Sequence, residues 1–316
     1  MSILELRNVS KAFPSHQAVD NVSLTLERGE LHALLGPSGC GKTTCLRMVA
    51  GFETPDSGQI LLNGADIAPL KPYQRNVSTV FQSYALFPHL NVFENVAFGL
   101  RQRGDPELSR KVNEALEMVQ LSAKADRKPS QMSGGEKQRA ALARSLVLAP
   151  DLLLLDEPLS ALDPNLRQQV RLELRALQRR VGITFLMVTH DQEEALSMAD
   201  RITLLNKGRV EQVGTPQQMY LTPANRFTAS FLGDVNWVGD IGVRPESTRL
   251  SHEPEPAARA ARVLHSTFLG DCHHVHVELA GGQHLMAQVP RSTTQFHADD
   301  PVHVWWHPAD ELHLPQ

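Results

Sequence analysis

Hydrophobic and polar positions alternate with a period of two over residues 22–26, where Ser23 and Thr25 separate Val22, Leu24 and Leu26. That spacing predicts a half-buried strand. A turn-like Glu27-Arg28-Gly29-Glu30 follows, and Leu31–Leu35 then predicts a buried strand. Residues 44–50 read as a short helix ended by Gly51. Thr54-Pro55-Asp56-Ser57-Gly58 reads as a turn, and residues 59–62 as a short strand closed by Asn63-Gly64.

From Pro88 to about Pro150 the period changes to that of helices. Ser109 can cap a helix in which Val112, Ala115, Leu116 and Val119 share a face. A second helix is expected from Ser133 to Leu148, after which residues 151–155 return to strand. Asp163-Pro164 starts another helix, with Pro just inside it. Leu166, Val170, Leu174, Leu177 and Val181 form its apolar stripe. Residues 183–188 read as a buried strand. Residues 201–205 and 209–213 flank Asn206-Lys207-Gly208 as a hairpin. Past about Phe231 helix signals vanish. Short strand-like runs at 263–269, 274–279, 284–289 and 302–306 suggest a small β barrel or sandwich. No internal repeat of 20–50 residues is present.

Composition adds bounds. A chain of 316 residues fits one large domain or two unequal ones. A net charge of −4 with 21% charged residues gives no sign of a nucleic-acid binder. The three cysteines, Cys40, Cys45 and Cys272, have no pairing pattern and fit a reducing cytosol. The first residues lack the pattern of a signal peptide. No apolar run approaches the roughly 18 residues that span a bilayer.

The chemistry centres on residues 36–44, GPSGCGKTT. Gly36, Gly41, Lys42 and Thr43 have the spacing of a phosphate-binding loop, set between a strand and a helix as that motif requires. Glycines let backbone N–H groups approach a polyphosphate, and the helix directs its positive end at the anion. Lys42 suits the outer phosphates and Thr43 a Mg²⁺ ion. Taken alone, the loop fits a kinase, a GTPase or a motor equally well. Three more apolar runs end in suitable residues: 77–81 at Gln82, 152–155 at Asp156-Glu157, and 183–188 at Thr189-His190. Ligands of a parallel sheet bind beyond the carboxyl ends of its strands. Asp156 suits Mg²⁺, and Glu157 can orient or deprotonate water. The plainer readings are a turn at Asp156, an ordinary polar strand end at Gln82 and a surface histidine at His190.

Residues 131–139 carry two glycines at the start of a helix. Ser133 and Glu136 have capping-box spacing. The segment is either a well-capped helix or a second anion site serving a nucleotide held by another subunit.

Together these stretches resemble the ATP-binding cassette family. MSGGEKQR resembles its signature, GPSGCGKTT its Walker A, LLLLDEP its Walker B, SALD its D-loop, FQ its Q-loop and VTHD its switch histidine. The resemblance covers roughly residues 3–233. Gly242-Val243-Arg244-Pro245-Glu246 is similar to the regulatory β domain of bacterial importer ATPases serving polyamines, ferric iron, phosphonates, sulfate and sugars. The implied fold is an α/β P-loop NTPase with an antiparallel β subdomain and a helical insertion near 88–150. A small all-β OB-like domain is expected after it, with the boundary at 233/234.

The resemblance implies ATP and Mg²⁺ as cofactors. It implies a head-to-tail pair of chains, two membrane permease subunits, an indirect substrate-binding protein, no nucleic acid, and work at the cytoplasmic face of a bacterial inner membrane. Catalysis falls to Glu157, His190 and Gln82. Nucleotide contacts fall to Phe13, Gly36, Ser38, Gly39, Cys40, Gly41, Lys42, Thr43 and Thr44. From the second chain they fall to Ser133, Gly134 and Gly135, with Asp163 coupling the sites. Thr43, Gln82 and Asp156 would hold the metal. Met132 replaces the usual Leu, Glu136 a frequent Gln, and Phe13 the usual adenine-stacking Tyr. The plainer reading of Phe13 is a core aromatic. Residues 82–90 read either as a groove for a permease helix or as packing within the helical insertion. A soluble cassette ATPase of DNA repair or translation is the alternative. The chain lacks the long coiled coils or second cassette of those groups. His274 and His276 share a strand face, which would suit a metal, although no partner stands at firm spacing.

Overall fold

Two hydrophobic cores organise the chain, one in each of two units, residues 1–216 and 217–316. The computed structural model describes residues 2–160, 162–292 and 295–314.

The first unit opens with β1 (Ser2–Phe13) and β2 (His16–Glu27), an antiparallel hairpin in which Phe13 pairs with His16. β3 (Leu31–Leu35) is buried at all five positions and feeds α1 (Lys42–Ala50). β4 (Ser57–Leu62) and β5 (Ala65–Asp66) complete a four-stranded sheet in the order β2-β1-β4-β5. β6 (Val77–Val80) leads to three helices, α2 (Val92–Gln102), α3 (Leu108–Met118) and α4 (Gly134–Leu146). Then come β7 (Leu152–Asp156), α5 (Pro164–Val181), β8 (Thr184–Val188), α6 (Gln192–Met198), β9 (Arg201–Asn206) and β10 (Arg209–Gly214).

The six-stranded sheet has the order β10-β9-β3-β8-β7-β6. All neighbours are parallel except the β9–β10 hairpin. Strands covered on both faces need continuous apolar sequence, which explains the four leucines of β7. Leu4, Leu26, Leu34, Leu154 and Leu186 share one core, so the two sheets pack together.

Most strands differ from the sequence expectation at an end, and three helix ends differ for local reasons. α1 starts at Lys42, not Thr44, because Gly41 at φ 105° turns the loop straight into the helix. Ser109 does not cap α3, which starts one residue earlier at Leu108. The Asp105 carboxylate accepts the Glu107 N–H at 2.9 Å and begins the turn upstream. α4 stops at Leu146 rather than Leu148, and Ala149 just beyond it has a left-handed backbone, φ 49°. Arg75 closes the far end of α1. Its Nη1 donates to the Met48 and Val49 carbonyls at 2.6 and 2.9 Å.

The second unit carries α7 (Pro216–Leu221), α8 (Arg226–Phe231), β11 (Asn236–Val238) and β12 (Ile241–Val243). After β13 (Arg249–Ser251) come β14 (Arg259–Phe268), β15 (Cys272–Leu279), β16 (His284–Pro290), β17 (Pro301–Trp305) and β18 (Glu311–Leu312). They form two sheets, β11-β12-β18 and β13-β17-β14-β15-β16. Val263, Val275, Val277, Leu285, Val302 and Val304 form its core. Buried Arg244 donates to the Ala229 and Gly233 carbonyls, both at 2.9 Å. On β15, His276 stacks on His265 with ring centres 4.3 Å apart. Among the described residues no three His, Cys, Asp or Glu side chains converge as a metal site.

Candidate active site

The phosphate loop bridges β3 and α1. Gly36, Gly39 and Gly41 all have positive φ, at 152°, 77° and 105°. A Cβ at Gly36 would lie 2.2 Å from the Leu205 carbonyl oxygen, and one at Gly41 2.4 Å from that of Ala18. Any side chain there would push backbone apart, so the loop needs glycine at both places. Lys42 is buried, and its Nζ donates to the Gly36 and Pro37 carbonyls at 2.7 and 2.9 Å. The amine therefore lies folded over the loop it serves. Gly39, Gly41, Lys42, Thr43 and Thr44 line a recess of about 140 Å³ with His16 and Ala18. Ser38 is exposed beside them, and burial pushes the Cys40 thiol up. Half-buried Phe13 sits at the tip of β1 and stacks on His16, centres 5.6 Å apart.

A second recess of about 140 Å³ gathers Gln82, Glu157 and His190 at the carboxyl ends of β6, β7 and β8. His190 Nδ1 and Glu157 Oε1 are 3.1 Å apart. Glu157 has a left-handed backbone, φ 46°, and its N–H donates to the Val188 carbonyl at 3.0 Å. The bond holds this uncommon conformation, a feature that clusters at working sites. Ahead of it, burial and then the Glu157 charge push the Asp156 carboxyl up, while Arg47 of α1 opposes them. Ionised Asp156 is thus costly and poorly compensated.

Thr189, expected beside His190, lines this recess, and so do Ser160, Arg167, Asp191 and Glu194, to which sequence reasoning gave no role. The Thr189 hydroxyl donates to buried Glu194 at 2.6 Å and accepts the Asp191 N–H at 3.0 Å. Asp191 caps α6 by accepting the Glu194 N–H at 3.0 Å. The readable signal was the spacing of Asp191 and Glu194, a helix-start pattern directly after His190.

Ser133 caps α4. Its Oγ accepts the Glu136 N–H at 3.3 Å, and Glu136 returns a bond to the Ser133 N–H at 2.8 Å. Lys124 pairs with Glu136 and holds that carboxyl below its usual range. The capping box thus survives the exchange of Gln for Glu. Met132 is buried, as a Leu there would be. A Cβ at Gly134 would lie 3.0 Å from Leu162 Cδ2. Asp163 caps α5, accepting the Leu166 N–H at 3.0 Å. Ala161, between these groups, lies outside the described residues. Ser133, Gly134, Gly135 and Asp163 line neither recess of their own chain.

The segment after Gln82 is partly packed. Tyr84 is buried, and Phe87 lies against Phe98 of α2 with centres 4.5 Å apart. Arg144 of α4 donates to the Ala85 and Tyr84 carbonyls at 2.7 and 2.9 Å. By contrast Phe81 and Phe52, centres 6.0 Å apart, stay exposed at 37% and 49%. Among the described residues no helix is long and apolar enough to cross a membrane.

Comparison with known proteins bears on this arrangement. The ABC transporter family pattern matches residues 19–160, and the TOBE domain pattern residues 241–314. The chain is similar to a spermidine/putrescine import ATP-binding protein, PotA, of Nitrosomonas eutropha. Identity is 45% over 351 aligned positions, covering 97% of each chain. It is also similar to the putrescine transport ATP-binding protein PotG of Escherichia coli, at 44% over 328 positions, covering 91% of this chain and 87% of that one. A solved dimeric ATP-binding cassette, in a post-hydrolysis state bound to ADP and Pi, is 31% identical. Its TM-score is 0.59, covering 68% of this chain and 99% of that one. With cassette and TOBE domain both matched and the likeness running almost end to end, the chain belongs to the ATP-binding cassette family, as an ATP-hydrolysing subunit of the bacterial importer type.

Proposed function

We propose that the chain supplies ATP-driven closure and release to a polyamine importer. The observation that carries the catalytic part is the meeting of Gln82, Glu157 and His190 in one recess beyond the phosphate-loop strand. Glu157 orients and deprotonates the water that attacks the γ-phosphorus in line, and ADP leaves with the bridging oxygen. His190 and Lys42 stabilise charge on the γ-phosphate oxygens, and Lys42 gives up its loop carbonyls to do so. Phe13 stacks on adenine.

Thr43, Asp156 and Gln82 fit a Mg²⁺ ion. The fit rests on Asp156, a half-buried carboxylate whose negative charge Arg47 compensates only in part. When bound, that ion neutralises phosphate charge.

Ser133, Gly134 and Gly135 start a helix, where N–H groups suit an anion. They line neither recess of their own chain. Both facts support a head-to-tail pair in which they meet the γ-phosphate on a second copy, with Asp163 coupling the two sites. Exposed Phe52 and Phe81 support docking of a permease helix beside the Q-loop. Two permeases and a binding protein complete the assembly at the cytoplasmic face of the inner membrane. The division into a cassette of residues 1–233 and a β domain of 234–316 belongs to this reading.

The names of the relatives support polyamine as cargo. Uptake of labelled putrescine and spermidine in cells lacking the chain tests it. The native chain should restore uptake and Glu157→Gln should not. Intact polyamine uptake in the deletion strain, with loss of another solute, would replace the cargo.

A further inference from the structure

The first turn of α4 carries a charge that works against the role proposed for it. Glu136 is the third residue of the helix, and its Oε2 accepts the Ser133 N–H at 2.8 Å. The Ser133 Oγ accepts the Glu136 N–H in return, at 3.3 Å. This exchange fixes a carboxylate beside Ser133, at the helix start read above as meeting the γ-phosphate of a second copy. A carboxylate and a phosphate so placed repel each other, and the repulsion grows as water is excluded between them.

A cation answers that charge from a different element. Lys124 ends a single 3-10 turn, Ser122–Lys124, between α3 and α4, and its Nζ pairs with the other carboxylate oxygen, Oε1. The two residues are 12 positions apart, so the fold and not the helix repeat brings them together. The Glu136 side chain is only 13% exposed, and water screens the pair little on that side. The segment carrying Lys124 is tied down without Glu136. Leu121 ahead of it is buried, and the Ala125 and Arg127 carbonyls accept the Phe93 and Val92 N–H groups of α2, both at 2.9 Å. Arg127 adds a weaker attraction to the same carboxylate.

We propose that Lys124 is a positioning residue of the two-chain site: it neutralises Glu136, so that the start of α4 presents a net positive end to the neighbour's terminal phosphate. The inference rests on the head-to-tail reading above. Glu136 holds the Ser133 backbone in place, and Lys124 cancels the charge that this arrangement brings with it. The helix start then keeps the roughly half positive charge of its unpaired N–H groups. Without Lys124 the geometry of the cap remains, and an uncompensated carboxylate opposes the incoming phosphate. A plain tether between the turn and α4 makes a different demand, since it needs Lys124 and the Glu136 carboxylate equally.

The test is a double-mutant cycle on the full chain, with ATPase rate measured against ATP concentration. Lys124→Ala should lower kcat/KM about tenfold or more, while ADP binding to the isolated chain stays within about twofold of native. Lys124→Arg keeps the charge and should recover at least about a third of the native value. Glu136→Gln keeps the capping bonds, removes the negative charge and should raise kcat/KM about two- to fivefold. Lys124→Ala joined to Glu136→Gln should return to within about threefold of native. Native kcat/KM in Lys124→Ala, a loss in Glu136→Gln, or a double variant as slow as Lys124→Ala would each overturn the proposal. Glu136→Gln separates neutralisation from a tether by its sign, even if the Lys124→Ala chain does not fold. Ser133→Arg checks the reading beneath, since full activity in that variant would remove the two-chain site itself.

Discussion

Glu157 Oε1 and His190 Nδ1 stand 3.1 Å apart across the ends of two neighbouring strands. β7 and β8 are parallel, with Asp156 opposite Val188, so the residues just beyond are bound to meet. Glu157→Gln keeps the shape and removes the proposed base. Turnover should fall about 10²- to 10³-fold, with ATP affinity little changed. Phosphate release and equilibrium nucleotide binding check the two halves, and near-normal turnover would remove Glu157 from the chemistry.

Ser133 has two duties, capping its own helix and, in the proposed pair, facing the neighbour's phosphate. Ser133→Arg should leave ATP binding to the isolated chain within about twofold and lower ATPase activity at least about 100-fold. Ser133→Ala isolates the first duty and should cost about 1 kcal/mol of stability. Activity that survives the Arg substitution would refute the trans arrangement.

How much of this was legible follows from the range of each interaction. The phosphate loop, the Ser133–Glu136 box and the Asp163 cap rest on residues within a few positions of one another, so local spacing revealed them. The alignment of Gln82, Glu157 and His190 was also readable, because parallel strands that end together bring their next residues together. Arg144 and Arg75 were not. Arg144 reaches back about 60 positions to Tyr84, and Arg75 binds carbonyls 26 and 27 positions away. No periodicity announces such contacts. The start of α3 was misjudged for a local reason, since Asp105 competed with Ser109 for the same turn.

Asp156 illustrates function set against stability. Its carboxyl is pushed above its ordinary 3.8, by burial first and by Glu157 second. A raised acid binds its proton more tightly when folded. Its stabilising effect is therefore complete below that ordinary value and is lost as pH rises through the folded pKa. At neutral pH the ionised group is a burden on the nucleotide-free chain. Asp156→Asn should raise its melting temperature by about 2 °C or more while lowering Mg²⁺-dependent ATPase activity at least about tenfold. Calorimetry at pH 7 without nucleotide checks the first, and a lower melting temperature would contradict it.

Glu30 behaves in the opposite sense. Burial raises its pKa, but His32 and the Glu27 N–H more than offset this and hold it below the ordinary 4.5. His32 is fully buried, its Nδ1 2.8 Å from Glu30 and its Nε2 2.8 Å from Thr203. A lowered acid gives stability that is present above its unfolded value and is lost as pH falls through the folded pKa, here below 4.5. Glu30→Ala leaves one imidazole nitrogen unpaired in the core and should cost about 2–4 kcal/mol at pH 7. The gap between variant and native chain should narrow toward pH 4, and urea unfolding at both pH values measures it.

The grip of Arg144 on the Tyr84 and Ala85 carbonyls turns α4 into a shaft with a fitting at each end. Ser133 and Arg144 are separated by roughly 16 Å of helix, at 1.5 Å per residue. A helix transmits displacement along its axis with little give. In the proposed assembly, a push on the segment after Gln82 would therefore reach the Ser133 end as movement of one solid part, and a pull there would return the same way. Traffic in that assembly between a permease and the neighbouring nucleotide would need no relay of small rearrangements, only the swing of one rod.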